Sequence, residues 1–155
     1  MGAVPKRSQM TPQIAPELAA EALFTAHQHE QAWLDAFAYS LDRRRAAASL
    51  KHVLTVWDLS QSDAARLFGV SRQAISKWLD QGAPPDRAVL IADLSAATDL
   101  LTHYLKRDRI PAVVRRPIGA LRSVSLMDLL ASADTQALLA TCREMFSFGE
   151  VQDQA

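Results

Sequence analysis

Residues 71–79 carry polar side chains at a spacing that places them together on one side of a helix. These are Arg72, Gln73, Ser76 and Lys77, with no acidic residue among them. In the major groove of DNA, arginine pairs bidentately with guanine and glutamine with adenine, while lysine or serine bonds to base acceptors or phosphate. The pattern therefore predicts that these four side chains contact bases.

The opposite side of this helix is apolar and must pack on another helix. Ile75 and Trp78 lie three positions apart, which places both on the buried side. In the preceding segment, the small Ala65 allows a close crossing, and Gly69 supplies a left-handed residue that reverses the chain. These four residues are the predicted core of two short helices joined by one turn, in which Ser60 and Ser71 are the N-caps.

Phosphate contacts are predicted around the same pair of helices. A basic triplet precedes the pair, and basic side chains near a base-contacting helix bind the DNA backbone. The predicted phosphate-contacting residues are Gln61, Ser62, Ser71, Arg43, Arg44 and Arg45.

Residues 60–79 resemble the helix-turn-helix of the Xre/Cro repressor family. The resemblance lies in the order of small residue, glycine, β-branched core residue and aromatic residue, and VSRQAISKWL (70–79) is similar to the family's recognition helix. It implies a dimer that places one such helix in each half of a palindromic site. The alternative is a purely structural helix pair, because many helix pairs are joined by a glycine turn.

Charge is unevenly distributed along the chain. The total is neutral, with 17 Lys+Arg and 17 Asp+Glu. Residues 43–122 contain 14 basic and 7 acidic residues, whereas residues 1–42 contain 2 and 5, and residues 123–155 contain 1 and 5. A basic centre between two acidic ends is consistent with a nucleic-acid partner.

The composition predicts an all-α fold. There are 27 Ala and 20 Leu against 9 Val, 5 Ile and 7 Thr, which favours helices over strands. We expect a flexible tail (1–16), an amphipathic N-terminal helix (17–45), a helix-turn-helix domain (46–106) and a small C-terminal helical domain (110–150).

Within these domains, the sequence also predicts individual helices, candidate dimer faces and a connector. A separate helix is expected over residues 46–58 and a long one over 85–106. The apolar faces of residues 33–41 and 90–104 are candidates for a dimer interface, and burial within one chain explains them equally well. The prolines and glycine of residues 110–119 predict a connector that is not helical.

Residues 110–146 loosely resemble the C-terminal domain of the Xre/ParS-type antitoxins. Ser125 and Asp128 have capping-box spacing, and Asp134 is a second candidate cap. Ser125 stands where that family usually has proline, and residues 122–123 where it often has glycine. The resemblance implies a repressor of its own operon whose residues 110–150 dock on a partner toxin, commonly one that consumes NAD, and block its active site.

Catalytic chemistry is not expected. Cys142 is the single cysteine and lies on an apolar helix face, which favours a small core residue over a nucleophile. His27 and His29 form a metal half-site without a third ligand, so we predict no metal and no cofactor. The N-terminal residues lack an apolar signal core, and no stretch is long enough to span a membrane, so the expected compartment is the cytoplasm.

The sequence thus predicts a transcriptional repressor that binds specific double-stranded DNA as a homodimer. The C-terminal resemblance adds the role of antitoxin in a toxin–antitoxin pair. The alternatives are a stand-alone regulator and a phage-type DNA adaptor with no toxin partner.

Overall fold

The structure is a computed structural model of the 155-residue chain and describes residues 14–119 and 123–147. All regular elements in these residues are helical, which confirms the all-α prediction, and an isolated antiparallel bridge joins Ile118 to Val124. The α-helices are α1 (Pro16–His27), α2 (Gln31–Val56), α3 (Gln61–Phe68), α4 (Arg72–Gln81), α5 (Ala88–Tyr104), α6 (Ile110–Arg115), α7 (Leu126–Ala131) and α8 (Thr135–Ser147). Most of the predicted tail, and the end of the predicted C-terminal domain, lie outside the described residues.

The chain divides into two compact units, residues 1–40 and residues 41–155. In the first unit, α1 has no buried residue. The His27 ring stacks on Trp33 with 3.6 Å between ring centroids, and Trp33 stacks on Phe37 at 5.2 Å. The described part of this unit therefore holds only a small aromatic cluster.

The prediction of one uninterrupted helix over residues 17–45 is wrong. The helix stops at His27, whose carbonyl accepts from the Glu30 amide at 2.8 Å, and α2 begins at Gln31. Residues 27–31 are all polar, so they have no apolar side to bury and local turn hydrogen bonds replace the helix. The prediction of a separate helix over residues 46–58 is also wrong. Helix α2 continues without a break through residues 43–48, which are all Arg and Ala and favour helix.

The second unit has one hydrophobic core, to which both predicted domains contribute. Its fully buried side chains include Trp57, which directly follows α2, Ile75 of α4, Leu94 of α5 and Leu138 of α8. Helix α5 packs along α8, while α3 packs on both α4 and α7. Residues 46–106 and 110–147 therefore share a single core.

The buried polar groups at the centre of this core are hydrogen-bonded. Trp57 Nε1 donates to Thr98 Oγ1 at 2.9 Å, and Thr98 Oγ1 donates to the Leu94 carbonyl at 2.7 Å. An unpaired polar group here would cost about 1–3 kcal/mol. The bond thus lets an indole lie inside the core and fixes α2 against α5.

The long helix expected over residues 85–106 is present as a 3-10 turn (Pro85–Arg87) followed by α5.

The prediction of a connector that is not helical over residues 110–119 is wrong, because Ile110–Arg115 form α6. Pro111 lies in the first turn, where its missing N–H costs no hydrogen bond. Ile110 and Val114, four positions apart, are both fully buried, and this burial stabilises the short helix.

The predicted caps of α7 and α8 are confirmed. Ser125 Oγ accepts from the Asp128 amide at 3.1 Å, and the Asp128 carboxylate accepts from the Ser125 amide at 2.8 Å. Asp134 Oδ1 accepts from the Ala137 amide at 3.1 Å. The turn before α7 also contains Ser123 with a φ of 73°.

Gly82 marks a close backbone approach between α2 and the end of α4. Its φ is 88°, and a Cβ placed on it would overlap the Arg43 carbonyl oxygen and lie 2.9 Å from Arg43 Cα. Gly69 also has a positive φ of 66°, but a Cβ there would meet no atom within 4 Å, and the same holds for Gly119. Among the three glycines that the structure describes, Gly82 alone combines a positive φ with a close backbone neighbour.

We expect Gly82→Ala to lower the free energy of unfolding by about 2–4 kcal/mol, because it adds overlap with a backbone to the strain of a left-handed residue. Gly69→Ala should cost about 1–2 kcal/mol through φ alone. Gly119→Ala is the matched control and should stay within about 0.5 kcal/mol of wild type. Urea unfolding measures all three, and equal losses for Gly82→Ala and Gly69→Ala would refute the close approach.

Two capping boxes make stability depend on pH. The Ser60 hydroxyl, then its amide, lowers the pKa of Asp63 below 3.8, and the Ser125 amide, then its hydroxyl, lowers the pKa of Asp128. Their contributions are therefore complete above pH 3.8 and are lost as the pH falls through the lower folded values. The free energy of unfolding, measured between pH 7 and pH 2, should decline less steeply in acid for Asp63→Asn/Asp128→Asn than for wild type, and an equal decline would contradict the role of these two carboxylates.

Candidate nucleic-acid interface

Helices α3 and α4 are joined by a turn that the sequence encodes at close range. Gly69 adopts φ 66° and ψ 35°, and the Val70 amide reaches back to the Ala65 carbonyl at 2.9 Å. Ser71 then caps α4 by accepting from the Ala74 amide at 3.1 Å. The predicted roles of Gly69 and Ser71 in the turn are confirmed.

Packing at the crossing fixes which side of α4 faces outward. Ala65, Phe68, Ile75 and Trp78 are buried, and the rings of Phe68 and Trp78 meet edge to face with centroids 6.0 Å apart. Such an aromatic pair contributes about 0.5–1.5 kcal/mol beyond the burial of its area. Rotation of α4 about its axis would expose both Ile75 and Trp78, so its orientation is fixed.

Arg87 supports this crossing, a role that is not among those predicted from the sequence. Its guanidinium carbon lies 6.0 Å from the centre of the Trp78 ring, and Nη1 donates to the Phe68 carbonyl at 3.4 Å. A cation at this carbonyl also interacts favourably with the C-terminal end of α3. No local pattern identifies this role, because Arg87 lies 19 residues from Phe68.

The polar side of α4 is exposed, and it includes the predicted base-contacting residues Arg72, Gln73, Ser76 and Lys77. However, the helix extends to Gln81, and this adds an exposed acid, Asp80, one turn beyond Ser76. The acid-free surface predicted over residues 71–79 therefore does not extend to the last turn of α4. It holds for the N-terminal half, where the helix dipole is positive.

The predicted phosphate contacts at the start of α3 have an acidic neighbour. Ser62 is exposed and Gln61 is half-buried. The Asp63 carboxylate accepts from the Ser60 hydroxyl at 2.6 Å and from the Ser60 amide at 3.1 Å, and Arg66 Nη2 pairs with it at 2.6 Å. Arg66 therefore offsets the negative charge beside Gln61 and Ser62.

The predicted arginine triplet lies at the other end of α4. Arg43 is half-buried, and its Nη2 lies 3.5 Å from the Gly82 carbonyl. Arg44 is exposed, whereas Arg45 pairs with Asp42 at 3.9 Å on the surface. Since α4 is about 15 Å long, the triplet and Arg72 lie at opposite ends of the helix.

Side chains that could act as a nucleophile or bind a metal lie outside α3 and α4. Cys142 is fully buried, and burial raises the pKa of its thiol to about 12, so the group is protonated at neutral pH. His27 stacks on an indole, and within the described ranges no cluster of three metal-ligating side chains is formed. In the same residues, no helix combines the length and the apolar character that crossing a bilayer requires.

The two candidate dimer faces differ in burial. Leu94, Ala97 and Leu101 of α5 are fully buried in the monomer, so burial within one chain, the second of the two explanations, accounts for this stripe. In residues 33–41, Phe37 and Leu41 remain 38 % and 39 % exposed. Most of the large hydrophobic side chains exposed in the described residues belong to this N-terminal region: Ile14, Leu18, Leu23, Phe24, Phe37, Tyr39 and Leu41.

No protein family model, curated protein or solved structure matches this chain. The chemistry of its own residues, above all those on the exposed side of α4, is therefore the guide to its function.

Proposed function

We propose that this protein is a sequence-specific DNA-binding repressor of transcription that inserts α4 into the major groove. The observation that carries this proposal is the exposed polar side of α4 opposite a fixed apolar side. Arg72 and Gln73 lie in the first turn, and Ser76 and Lys77 follow one turn later. An α-helix fits the major groove, where these side-chain types form hydrogen bonds with base edges.

Charge favours the N-terminal half of α4 as the end that enters most deeply. Arg72 and the helix dipole are positive there, whereas Asp80 at the last turn repels phosphate. Arg72 contacts guanine in this arrangement, and Gln73 contacts adenine. Ser71, with its hydroxyl proton free to donate, contacts the backbone at the start of the helix.

A homodimer completes the proposed interface. One α4 contacts only a few base pairs, and two copies at half-sites about one helical turn apart multiply the selectivity. The exposed hydrophobic side chains of residues 14–41 support a dimer surface there, since α1 has no buried residue in the monomer and short isolated helices are marginal in water.

A selection from random duplex DNA, followed by fluorescence anisotropy, tests the proposal. Arg72→Ala should weaken the selected sequence by about 1–3 kcal/mol and relax preference at one position. Arg44→Ala should weaken all sequences alike and lower the salt slope by about one, as expected for a phosphate contact. Arg143→Ala, an exposed arginine of α8, is the matched control and should bind as wild type does.

Two results would contradict the proposal. If wild-type protein selects no sequence and shows no salt-dependent binding, the DNA-binding function fails. If Arg72→Ala binds every sequence as wild type does, base contact by α4 fails.

The proposed role as an antitoxin is supported by the resemblance of residues 110–146, which form α6, α7 and α8 in the described part. In this role the protein acts by occlusion of a toxin's active site and needs no catalytic group. Co-expression with the product of the adjacent gene is the test. A stable complex that rescues growth supports an antitoxin, and a lack of complex favours the stand-alone regulator or DNA adaptor.

A further inference from the structure

A second basic surface lies outside α3 and α4. Residues 106–116 contain five basic side chains and one acidic side chain, Asp108, and all six residues are exposed. The basic residues are Lys106, Arg107, Arg109, Arg115 and Arg116. Asp108 lies 4.0 Å from Arg109 on the surface, a weak pairing that leaves Arg109 able to meet an anion.

Arg115 fixes this surface beside the start of α3. Its Nη1 donates to the Trp57 carbonyl at 3.0 Å, and its Nη2 donates to the Asp58 carbonyl at 3.0 Å. These two carbonyls follow the last residue of α2 and directly precede the segment that begins α3. The same Nη1 also donates to the Pro111 carbonyl at 2.8 Å, so the C-terminal end of α6 is held at this point.

A cleft between α3 and Arg115 also shows that the C-terminal end of α6 lies close to α3. It is lined by Leu59, Asp63, Arg66, Leu67, Arg115 and Met127. Residues of α3 and the last residue of α6 therefore face one another across it. The Asp63 carboxylate in this cleft is paired with Arg66 at 2.6 Å, which reduces its repulsion of an approaching phosphate.

Two of these exposed cations flank α6. Arg109 ends the 3-10 turn (Arg107–Arg109) that precedes the helix, and Arg116 directly follows its last residue. Ala112, between them in the sequence, is also exposed. Ile110 and Val114 of α6 are fully buried, so the orientation of the helix is fixed by the core.

We propose that Arg109 and Arg116, which flank α6, form a second phosphate-contacting surface for the same DNA that α4 binds. The DNA backbone passes from the start of α4 along Gln61 and Ser62 of α3 to α6. The inference rests on the proposed function, and it assigns residues 109–116 to the DNA interface instead of to a protein partner. These contacts involve phosphate alone, so they add affinity without sequence preference.

The double variant Arg109→Ala/Arg116→Ala tests this inference, with Arg115 kept because it holds the fold. The slope of log K against log salt should fall by about two, and all DNA sequences should weaken alike. Arg109→Lys/Arg116→Lys retains the charge and should restore the slope. Arg143→Ala is the control, and circular dichroism and the thermal midpoint of each variant report whether it is folded.

The outcomes separate this inference from the proposed function. If wild type binds and Arg72→Ala loses sequence preference, but the double alanine variant keeps the wild-type slope, α6 is not a DNA contact and the role of α4 stands. A slope that falls with alanine and returns with lysine supports the inference. Wild-type protein that binds no DNA overturns both proposals.

Discussion

The edge-to-face contact between Phe68 and Trp78 is the interaction on which the candidate site depends. It lies where α3 crosses α4, and the small Ala65 allows the two helices to approach. Because Trp78 and Ile75 must stay buried, the side of α4 that carries Arg72 and Lys77 must face outward. The polar surface is thus a consequence of apolar packing on the other side of the same helix.

Features set by short-range chemistry could be predicted from the sequence. The left-handed Gly69 and the serine caps of α3, α4 and α7 each depend on residues within about four positions, and the structure confirms them. The break after His27 was not predicted, because a run of consecutive polar residues does not distinguish the exposed side of a helix from a turn. The last turn of α4 was also not predicted, and neither was the acidic character that Asp80 gives to that end of the helix.

Interactions between residues far apart in the chain could not be predicted from the sequence. Arg87 reaches Phe68 across 19 residues, and Arg115 reaches Trp57 across 58. Both bond to backbone carbonyls, which are present at every residue and therefore leave no pattern to recognise. The short helix α6 was missed for a related reason, since the burial of Ile110 and Val114 in a core built by other helices stabilises it despite Pro111.

Cys142 of α8 is fully buried, and it is the sole cysteine of the chain. Oxidants act on the thiolate, and enclosure suppresses both ionisation and access. Covalent linkage of two chains through sulfur therefore requires that this part of α8 first become exposed. The amount of disulfide-linked dimer in an aged preparation would therefore measure how often α8 has become exposed.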